Sequence, residues 1–466
     1  MFNNIHVVIA NISIVLSSIM LLERAIGSVD PAFYFIGIGM VLWYLGCCLR
    51  IEKLHIPSSN GFKVLLLFLV VVFISNILNI NSIVAMKYKG VYAADNMLKQ
   101  SLLLFLCILI SIYLFNVFNF KMKNINLLAI LEKMLLISFL IMGGYSFFEL
   151  VSLLGVVEAR EIVNFIDSII CSRSAEGSIL GYFRIRSLTY EASIFGTYCG
   201  VVFPWLFMKC LKQESNNYRH LFFVGVLIYF FILLIFSFSR TAYFTVLFEA
   251  IVLLIMYRKT YDINWFKICC FLVKSSMLLL LACFFIVEFI LPQSIVADMD
   301  VLDVLFSIID TKGESTQYLS NVARISTQVA AWNMFLDNPF FGVGYGQFAF
   351  YYQYYVPSWS WESYEVIEWA TNSGNVLNGC FGIYARFFAE IGLIGALIWI
   401  LFLFITLRDI FYARISHEYK ICFLCSFFAL ILFGWNFSTI RLPYYWIFFA
   451  LTWALNDKSA GEDCIE

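Results

Sequence analysis

The chain alternates between long apolar runs and short polar connections. A helix needs about 20 apolar residues to cross the roughly 30 Å of hydrocarbon in a bilayer, and most of the runs approach that length. They lie near residues 6–22, 31–48, 64–82, 101–120, 134–154, 190–210, 221–238, 241–257, 269–291, 384–407, 421–437 and 443–456. The pattern predicts an all-α polytopic membrane protein with about twelve transmembrane helices.

Basic residues predict the orientation of these helices. Lysine and arginine are frequent in the short connections 49–63, 121–133, 209–219, 258–267 and 408–420. Cytoplasmic connections of membrane proteins carry such an excess, so we expect both termini in the cytoplasm. No basic segment precedes the first run and no small-residue cleavage site follows it, so we expect it to be retained as a helix.

Three connections on the opposite side are long, at residues 83–100, 155–189 and 292–383. A structureless loop as long as the last one is uncommon unless it is functional. Its apolar positions between Ser320 and Leu336 follow helical spacing, and Asn338-Pro339 ends that predicted helix. We divide the chain into residues 1–291 with helices one to nine and a periplasmic loop at 155–189, residues 292–383 as a large helical periplasmic loop, and residues 384–466 with helices ten to twelve and a cytoplasmic tail.

Composition excludes a water-soluble protein. Hydrophobic residues make up 62% of the chain and charged residues 13%, which is about half the share in a soluble domain. A net charge of −1 gives no basic field that would attract a nucleic acid. Most of the 13 cysteines lie in apolar runs, where they act as small hydrophobic side chains. Cys171 and Cys380 fall in the outer loops, and whether they pair stays open.

Arginines gather on the predicted periplasmic side. Arg184 and Arg186 precede the sixth helix in GYFRIRSLTYEASIFG, with Glu191 at its first turn, and Arg240 lies between helices seven and eight in IFSFSRTAYF. The other arginines of this side that we single out are Arg324, Arg386 and Arg441. A planar guanidinium suits phosphate oxygens, so a cluster of arginines can hold a diphosphate.

Each arginine also has a second interpretation, in which it pairs with a carboxylate or reaches lipid headgroups. For Arg386, the position of Glu390 four residues later on the same helix favours pairing. For Arg240 we favour a function, because a two-residue turn outside the membrane needs no arginine.

The large loop is rich in aromatic residues, in FAFYYQYYVPSWSWESYEVIEW. Aromatic faces stack on sugar rings, and tryptophan and tyrosine add a polar group. We predict that Tyr345, Trp359 and Trp361 contact the substrate. A belt of aromatic residues at the membrane interface is the alternative, and both interpretations stay open.

We predict no metal and no cofactor, because zinc-type spacing and the glycine patterns of nucleotide-binding loops are missing. All four histidines fall in inner segments, so a general base outside must be a carboxylate, a tyrosine or the substrate itself. The carboxylate candidates are Glu191, Asp300, Asp303, Asp310, Glu314, Glu365 and Glu368. Glu249 in the eighth helix is either functional or hydrogen-bonded between helices.

Three segments resemble one family. SFSRTAYF, NPFFGVGYGQF and ARFFAEIGLIGALIWI are similar, in this order, to short motifs of the O-antigen polymerase and ligase superfamily. The resemblance implies a GT-C-like glycosyltransferase of the bacterial inner membrane, with an active site that faces the periplasm. It also implies inverting, metal-independent transfer of a glycan from undecaprenyl diphosphate, with cations that stabilise the departing diphosphate.

The resemblance assigns roles to particular residues. Glu191, Arg240 and Arg186 are the expected catalytic residues. The expected substrate-binding residues are Arg184, Arg324, Arg386, Arg441, Tyr345, Trp359 and Trp361. The expected partners are the lipid-linked oligosaccharide and membrane lipids, and whether a regulator of chain length binds stays open.

Within the superfamily, ligases carry a His-Asn pair shortly before the tenth helix, where this chain has Phe381-Gly382. RIRSLTYEASIFGTY resembles a run that is common in polymerases. We therefore favour an O-antigen polymerase over a ligase that transfers the glycan to lipid A core. A transporter or flippase is the third hypothesis. It predicts related halves and helices broken near the membrane midplane, and we find neither in the sequence.

Overall fold

The computed structural model describes residues 2–19, 30–122, 126–170, 184–212, 218–261, 316–371 and 377–457. These residues are mostly helical. The helices are α1 (Phe2–Leu16), α2 (Pro31–Cys48), α3 (Asn60–Leu78), α4 (Ile80–Ala85), α5 (Ala93–Asn116), α6 (Leu127–Leu153), α7 (Val157–Ile170), α8 (Ala192–Lys212), α9 (Tyr218–Phe236), α10 (Arg240–Tyr261), α11 (Thr316–Asp337), α12 (Phe348–Tyr355), α13 (Tyr364–Ala370), α14 (Ile383–Tyr412), α15 (His417–Phe433) and α16 (Pro443–Asn456). A π-helical turn at Val117–Lys121 extends α5, and Ser358–Glu362 forms a 3₁₀ turn. Strands Lys87–Tyr88 and Val91–Tyr92 pair in antiparallel register, Lys87 with Tyr92 and Tyr88 with Val91.

Each predicted apolar run overlaps a helix, except residues 269–291, which lie outside the described residues. In the described part of the chain, seven helices are long and apolar enough to cross a membrane: α2, α3, α5 with its π-helical turn, α6, α8, α9 and α14. The chain therefore has the helices of a multi-pass membrane protein. The count of twelve spans and the orientation stay predictions.

Polar caps explain where several of these helices begin. The Ser59 hydroxyl accepts the Phe62 backbone N–H at 3.2 Å and starts α3. The Asn126 side chain accepts the Ala129 N–H at 3.1 Å and starts α6. The first turn of a helix leaves N–H groups without partners, and such side chains satisfy them.

The described fold divides into two compact units. Unit 1 comprises Met1–Leu45, Lys121–Val301 and Arg414–Leu430, and unit 2 comprises Gly46–Phe120, Leu302–Ala413 and Ile431–Glu466. In unit 1, α8 packs against α10 and α9, and α6 packs against α7 and α1. In unit 2, α14 packs against α3 and α11, and α16 packs against α5. Both units consist of segments far apart in sequence, whereas the predicted division follows chain order.

The helix of the large loop agrees with its sequence pattern. The structure has α11 at Thr316–Asp337, which covers the predicted Ser320–Leu336 and ends beside Asn338-Pro339. Its buried side chains include Ala330, Ala331 and Met334, which form one apolar cluster of unit 2 together with Phe348, Tyr352, Ala370, Cys380 and Ala389.

Helix α14 is interrupted at Gly392, a break that the sequence pattern did not indicate. This glycine has φ +66° and interrupts the helical backbone. The segment Pro339–Gly344 lies against the interruption. The Leu393 N–H donates to the Pro339 carbonyl at 2.8 Å, and the Gly344 N–H donates to the Glu390 carbonyl at 2.9 Å. Backbone groups inside a membrane protein must be satisfied internally, and this segment supplies the partners.

Only glycine fits at this contact. A Cβ on Gly392 would lie 2.4 Å from the Phe340 carbonyl carbon, and a Cβ on Gly342 would lie 2.4 Å from the Glu390 carbonyl carbon. The Ser75 hydroxyl on α3 donates to the Phe341 carbonyl at 2.6 Å and holds the segment from the other side. Gly342 of NPFFGVGYGQF and Gly392 of α14 are therefore required for close packing of the two backbones.

Candidate functional site

Two segments that carry arginines meet at one end of unit 1. Residues 184–191 lead into α8, and residues 237–239 join α9 to α10. The Ile185 N–H donates to the Phe236 carbonyl at 2.9 Å. A Cβ on Gly196 would lie 2.8 Å from the Ser239 hydroxyl, so α8 and the start of α10 also pack closely. We call Arg184, Arg186, Glu191 and Arg240 the arginine end of unit 1.

Arg240 is the first residue of α10 and is half-buried. The residue two positions earlier, Phe238, adopts a left-handed conformation with φ +47°, which is uncommon for a side chain of this size. The N-terminus of a helix carries a partial positive charge, so a cation there is unfavourable and an anion is favourable. An arginine at this position gains from binding an anion such as a phosphate.

Arg186 is held by a buried carboxylate. Its Nη2 donates to Asp167 Oδ2 at 2.6 Å, and Asp167 lies on α7. Asp167 has a side-chain exposure of 0% and Arg186 of 14%. From the sequence alone, pairing of each arginine with a carboxylate stays open, and for Arg186 the structure has such a pair.

Glu191 is exposed at the start of α8. Its carboxylate accepts a hydrogen bond from the Ser193 hydroxyl at 3.0 Å. Its backbone carbonyl accepts the N–H groups of Ile194 and Phe195, both at 3.1 Å. The arginine end therefore contains a glutamate whose side chain is exposed to solvent and whose backbone is held by hydrogen bonds.

In unit 2, Arg386 is buried and bound on two sides. Its Nε donates to Glu390 Oε2 at 2.9 Å, and its Nη1 donates to the Ser438 carbonyl at 3.0 Å. Glu390 Oε1 accepts the Phe348 N–H at 3.1 Å. The pair that the sequence favoured is confirmed, and it ties three chain segments together.

Tyr345 lies beneath Arg386, with the guanidinium 5.2 Å from the centre of its ring. The ring is completely buried, and among the described residues its hydroxyl has no hydrogen-bond partner. Burial raises the pKa of Tyr345 above its usual value, so the phenol is neutral at physiological pH.

Arg324 lies over Phe381, with its guanidinium 5.3 Å from the ring centre. The ring of Trp369 lies 6.0 Å from that of Phe381. The Phe381 N–H donates to the Thr327 hydroxyl at 3.1 Å, which fixes the ring beside α11. Neighbouring Cys380 is buried, and burial raises the pKa of its thiol. Its suggested partner Cys171 lies outside the described residues.

Trp359 and Trp361 lie in the 3₁₀ turn and are 48% and 42% exposed. Arg441 is exposed between α15 and α16, and its backbone N–H donates to the Thr439 hydroxyl at 3.0 Å. The predicted site residues therefore fall into two groups. Arg184, Arg186, Glu191 and Arg240 lie in unit 1, and Arg324, Tyr345, Trp359, Trp361, Arg386 and Arg441 lie in unit 2.

The other candidate bases are less informative. Glu365 is exposed and Glu368 is partly buried. Asp300, Asp303, Asp310 and Glu314 lie outside the described residues. Within the part of the chain that was searched, no three His, Cys, Asp or Glu side chains are grouped so that they could hold a metal ion.

Glu249 on α10 is completely buried, and neither carboxylate oxygen has a hydrogen-bond partner among the described residues. The sequence allowed two interpretations of Glu249, a functional role or a hydrogen bond between helices. The described residues contain no partner for such a hydrogen bond. A Cβ on Gly200 of α8 would lie 3.8 Å from its Oε1.

Sequence reasoning missed three buried side chains beside Arg186: Tyr145, Glu149 and Asp167. For Asp167 a signal existed. Ala159 and Val163 precede it at four-residue spacing on α7, so a carboxylate stands on an apolar stripe. Such a residue is rarely buried without a partner.

Part of the chain is similar to a known family. A family model described as O-antigen ligase matches residues 225–400. This match is consistent with the O-antigen polymerase and ligase superfamily that the sequence motifs resemble. The O-antigen ligase match includes Arg240, Arg324 and Arg386, whereas Arg186 precedes it and Arg441 follows it. A comparison with curated proteins finds no match. The family indicates an O-antigen polymerase or ligase type of function, with glycosyltransferase-like chemistry on lipid-linked glycans.

Proposed function

We propose that this protein polymerises oligosaccharide repeat units linked to undecaprenyl diphosphate into O-antigen or a similar surface polysaccharide. The reaction takes place at the periplasmic face of the inner membrane, by inverting glycosyl transfer without a metal. The hydrogen bond between Ile185 and Phe236 carries the proposal. It joins the segment of Arg184 and Arg186 to the turn of Arg240, so arginines far apart in sequence belong to one end of unit 1.

The chemistry explains why arginines are needed there. An acceptor hydroxyl oxygen attacks the anomeric carbon of the donor glycan, and the bond from that carbon to the diphosphate oxygen breaks. Negative charge develops on the departing diphosphate, and Arg186 and Arg240 stabilise it. The hydroxyl proton passes to a base, and Glu191 is the exposed carboxylate of the same end.

Phe381 and Gly382 support a polymerase over a ligase. The ligases that the chain resembles carry His-Asn at this place. Gly382 has φ +108°, and a Cβ there would lie 2.7 Å from the Trp435 carbonyl oxygen. An asparagine at this position meets both a strained backbone and a steric clash, so the local backbone fits glycine.

Residues of unit 2 supply the other expected contacts. Trp359 and Trp361 are exposed and available to stack on sugar rings. Arg324 and Arg441 are the cations of unit 2 that we assign to substrate contact. Arg386 and Tyr345 are buried, so we assign them a role in holding the segment Pro339–Gly344 rather than direct contact.

The test uses purified protein in liposomes with a lipid-linked repeat unit. A ladder of products on undecaprenyl diphosphate supports the polymerase. Glycan transferred to added lipid A core indicates the ligase, the alternative that the description of the matched family favours. Movement of intact lipid-linked units between leaflets, without polymer, indicates a transporter.

A further inference from the structure

Arg186 belongs to a buried polar cluster that the proposed reaction does not explain. Asp167 Oδ2 accepts Nη2 of Arg186, and Asp167 Oδ1 accepts the Tyr145 hydroxyl, both at 2.6 Å. Asp167 is 1% exposed. Burial of a carboxylate is costly unless cations and hydroxyl groups replace its water, and here both oxygens have such a partner.

A second carboxylate fixes the backbone beside Arg186. Ser187 has φ +55°, a left-handed conformation that is unfavourable for a non-glycine residue. The Ser187 N–H donates to Glu149 Oε2 at 2.8 Å, and its hydroxyl donates to the Met142 carbonyl at 3.0 Å. These bonds hold the strained residue that directly follows Arg186, and strain of this kind concentrates at functional sites.

The helix that carries Asp167 has three different faces. Its buried stripe consists of Ala159, Val163 and Asp167. Its exposed apolar stripe consists of Ile162, Phe165 and Ile169. The polar residues Arg160, Asn164 and Ser168 are exposed on the remaining face. A helix with apolar and polar exposed faces suits the membrane interface, where the headgroups of a lipid-linked substrate lie.

We infer that Asp167 is the positioning residue for Arg186, holding its guanidinium for the diphosphate of the lipid-linked substrate. The inference rests on the proposed function of the arginine end. Asp167 Oδ2 accepts a hydrogen bond from the guanidinium nitrogen Nη2 of Arg186. Tyr145 fixes the other carboxylate oxygen, so the carboxylate cannot rotate without breaking a hydrogen bond. Asp167 thereby orients Arg186 without touching the substrate.

The test compares Asp167→Asn with Glu132→Gln. Glu132 lies near the start of α6, at the opposite end of that helix from Glu149. Like Asp167 it is a buried carboxylate beside a cation and a tyrosine. Its oxygens lie 3.1 Å from Lys209 Nζ and 3.0 Å from the Tyr419 hydroxyl. Glu132→Gln is therefore the matched control for the loss of a buried carboxylate charge. We expect Asp167→Asn to lower the maximal polymerisation rate by about a hundredfold, the loss for a catalytic group misplaced by about 1 Å. KM should rise as well, because a misplaced guanidinium binds the diphosphate less tightly, whereas Glu132→Gln should keep the wild-type rate per folded molecule and the wild-type KM.

A double-mutant cycle separates positioning from a structural role. If Asp167 acts through Arg186, Asp167→Asn adds no further loss to Arg186→Ala. Losses that multiply, or a wild-type rate for Asp167→Asn, overturn the inference. Should Asp167→Asn fail to fold, Tyr145→Phe removes a single hydroxyl and should give a smaller loss that again disappears in the Arg186→Ala background.

Binding of undecaprenyl diphosphate alone distinguishes this inference from the proposed function. Asp167→Asn should weaken binding of this lipid about tenfold in the wild-type background and not in Arg186→Ala. If Asp167→Asn weakens binding only while Arg186 is present, and the wild-type protein makes no polymer, the polymerase is rejected and the positioning role is retained. A polymer-forming protein without the coupling rejects the positioning role alone.

Discussion

Each unit contains a buried pair of arginine and carboxylate, and the two pairs differ in their surroundings. Arg386 and Glu390 lie four residues apart on one helix of unit 2, and their other bonds go to backbone groups of Ser438 and Phe348. Arg186 and Asp167 of unit 1 come from a loop and a helix nineteen residues apart in sequence.

This difference is the basis on which we assign Arg386 to structure and propose a function for Arg186. The polar bonds of the Arg386 pair join α14 to two other segments, so the pair stabilises the packing of unit 2. The Arg186 pair holds a loop whose backbone contacts the turn before Arg240. The second oxygen of its carboxylate, Asp167 Oδ1, accepts the Tyr145 hydroxyl, which is a side-chain group. The further contacts of an arginine and of its carboxylate partner are therefore our criterion for assigning the arginine to a structural or a functional role.

The largest expected effect is that of Arg386→Ala on stability. Removal of one partner leaves Glu390 buried without its cation, which costs about 3–5 kcal/mol. Thermal unfolding of the purified protein in detergent should show a large drop in midpoint. Arg408→Ala is the control, because Arg408 is exposed beside Asp409 and should cost less than about 1 kcal/mol. An Arg386→Ala protein that is stable but inactive would contradict a structural role for Arg386 and would indicate that the active site lies in unit 2.

Arg240→Ala should remove activity and preserve stability. Loss of a group that stabilises transition-state charge lowers the rate by about 10²–10³-fold. The amount of protein in the membrane should stay normal while long polymer disappears. The control is Arg219→Ala, an exposed arginine at the start of the preceding helix. Normal polymer length from Arg240→Ala would contradict the assignment.

Glu191→Gln should slow the reaction by about a hundredfold, near the lower limit for a general base. The substitution retains the size of the side chain and its hydrogen bond with Ser193. Ser193→Ala removes only that bond and should have a small effect. Initial rates at saturating lipid-linked substrate provide the measurement, and equal rates for wild type and Glu191→Gln would exclude Glu191 as the base.

Phe381→Leu should have the smallest effect. It removes the aromatic face beneath Arg324, an interaction of about 0.5–2 kcal/mol. We expect polymer formation to slow by about two- to thirtyfold. Phe404→Leu, at an exposed position of α14, is the control. A loss as large as that of Arg240→Ala would show that the arginines of unit 2 take part in the reaction directly.

The sequence predicted much of the local structure. Apolar runs of membrane length gave helices near their predicted positions, because burial of the backbone in hydrocarbon leaves helix as the available structure. The spacing of Val322, Ile325 and Val329 likewise gave α11. The interruption at Gly392 could not be predicted this way, because it depends on the segment around Phe340 that approaches from another part of the chain.

By itself, the sequence determined the apolar helices, the glycines of the large loop and the arginine motifs, since each depends on residues close together in the chain. The tertiary structure decided which arginines share a unit and which carboxylate holds each one. Asp167 and Glu149 are remote from Arg186 in sequence, and their contacts exist only because α6 and α7 pack beside the loop. Charge pairing depends on distances of a few ångströms, and only the fold sets those distances.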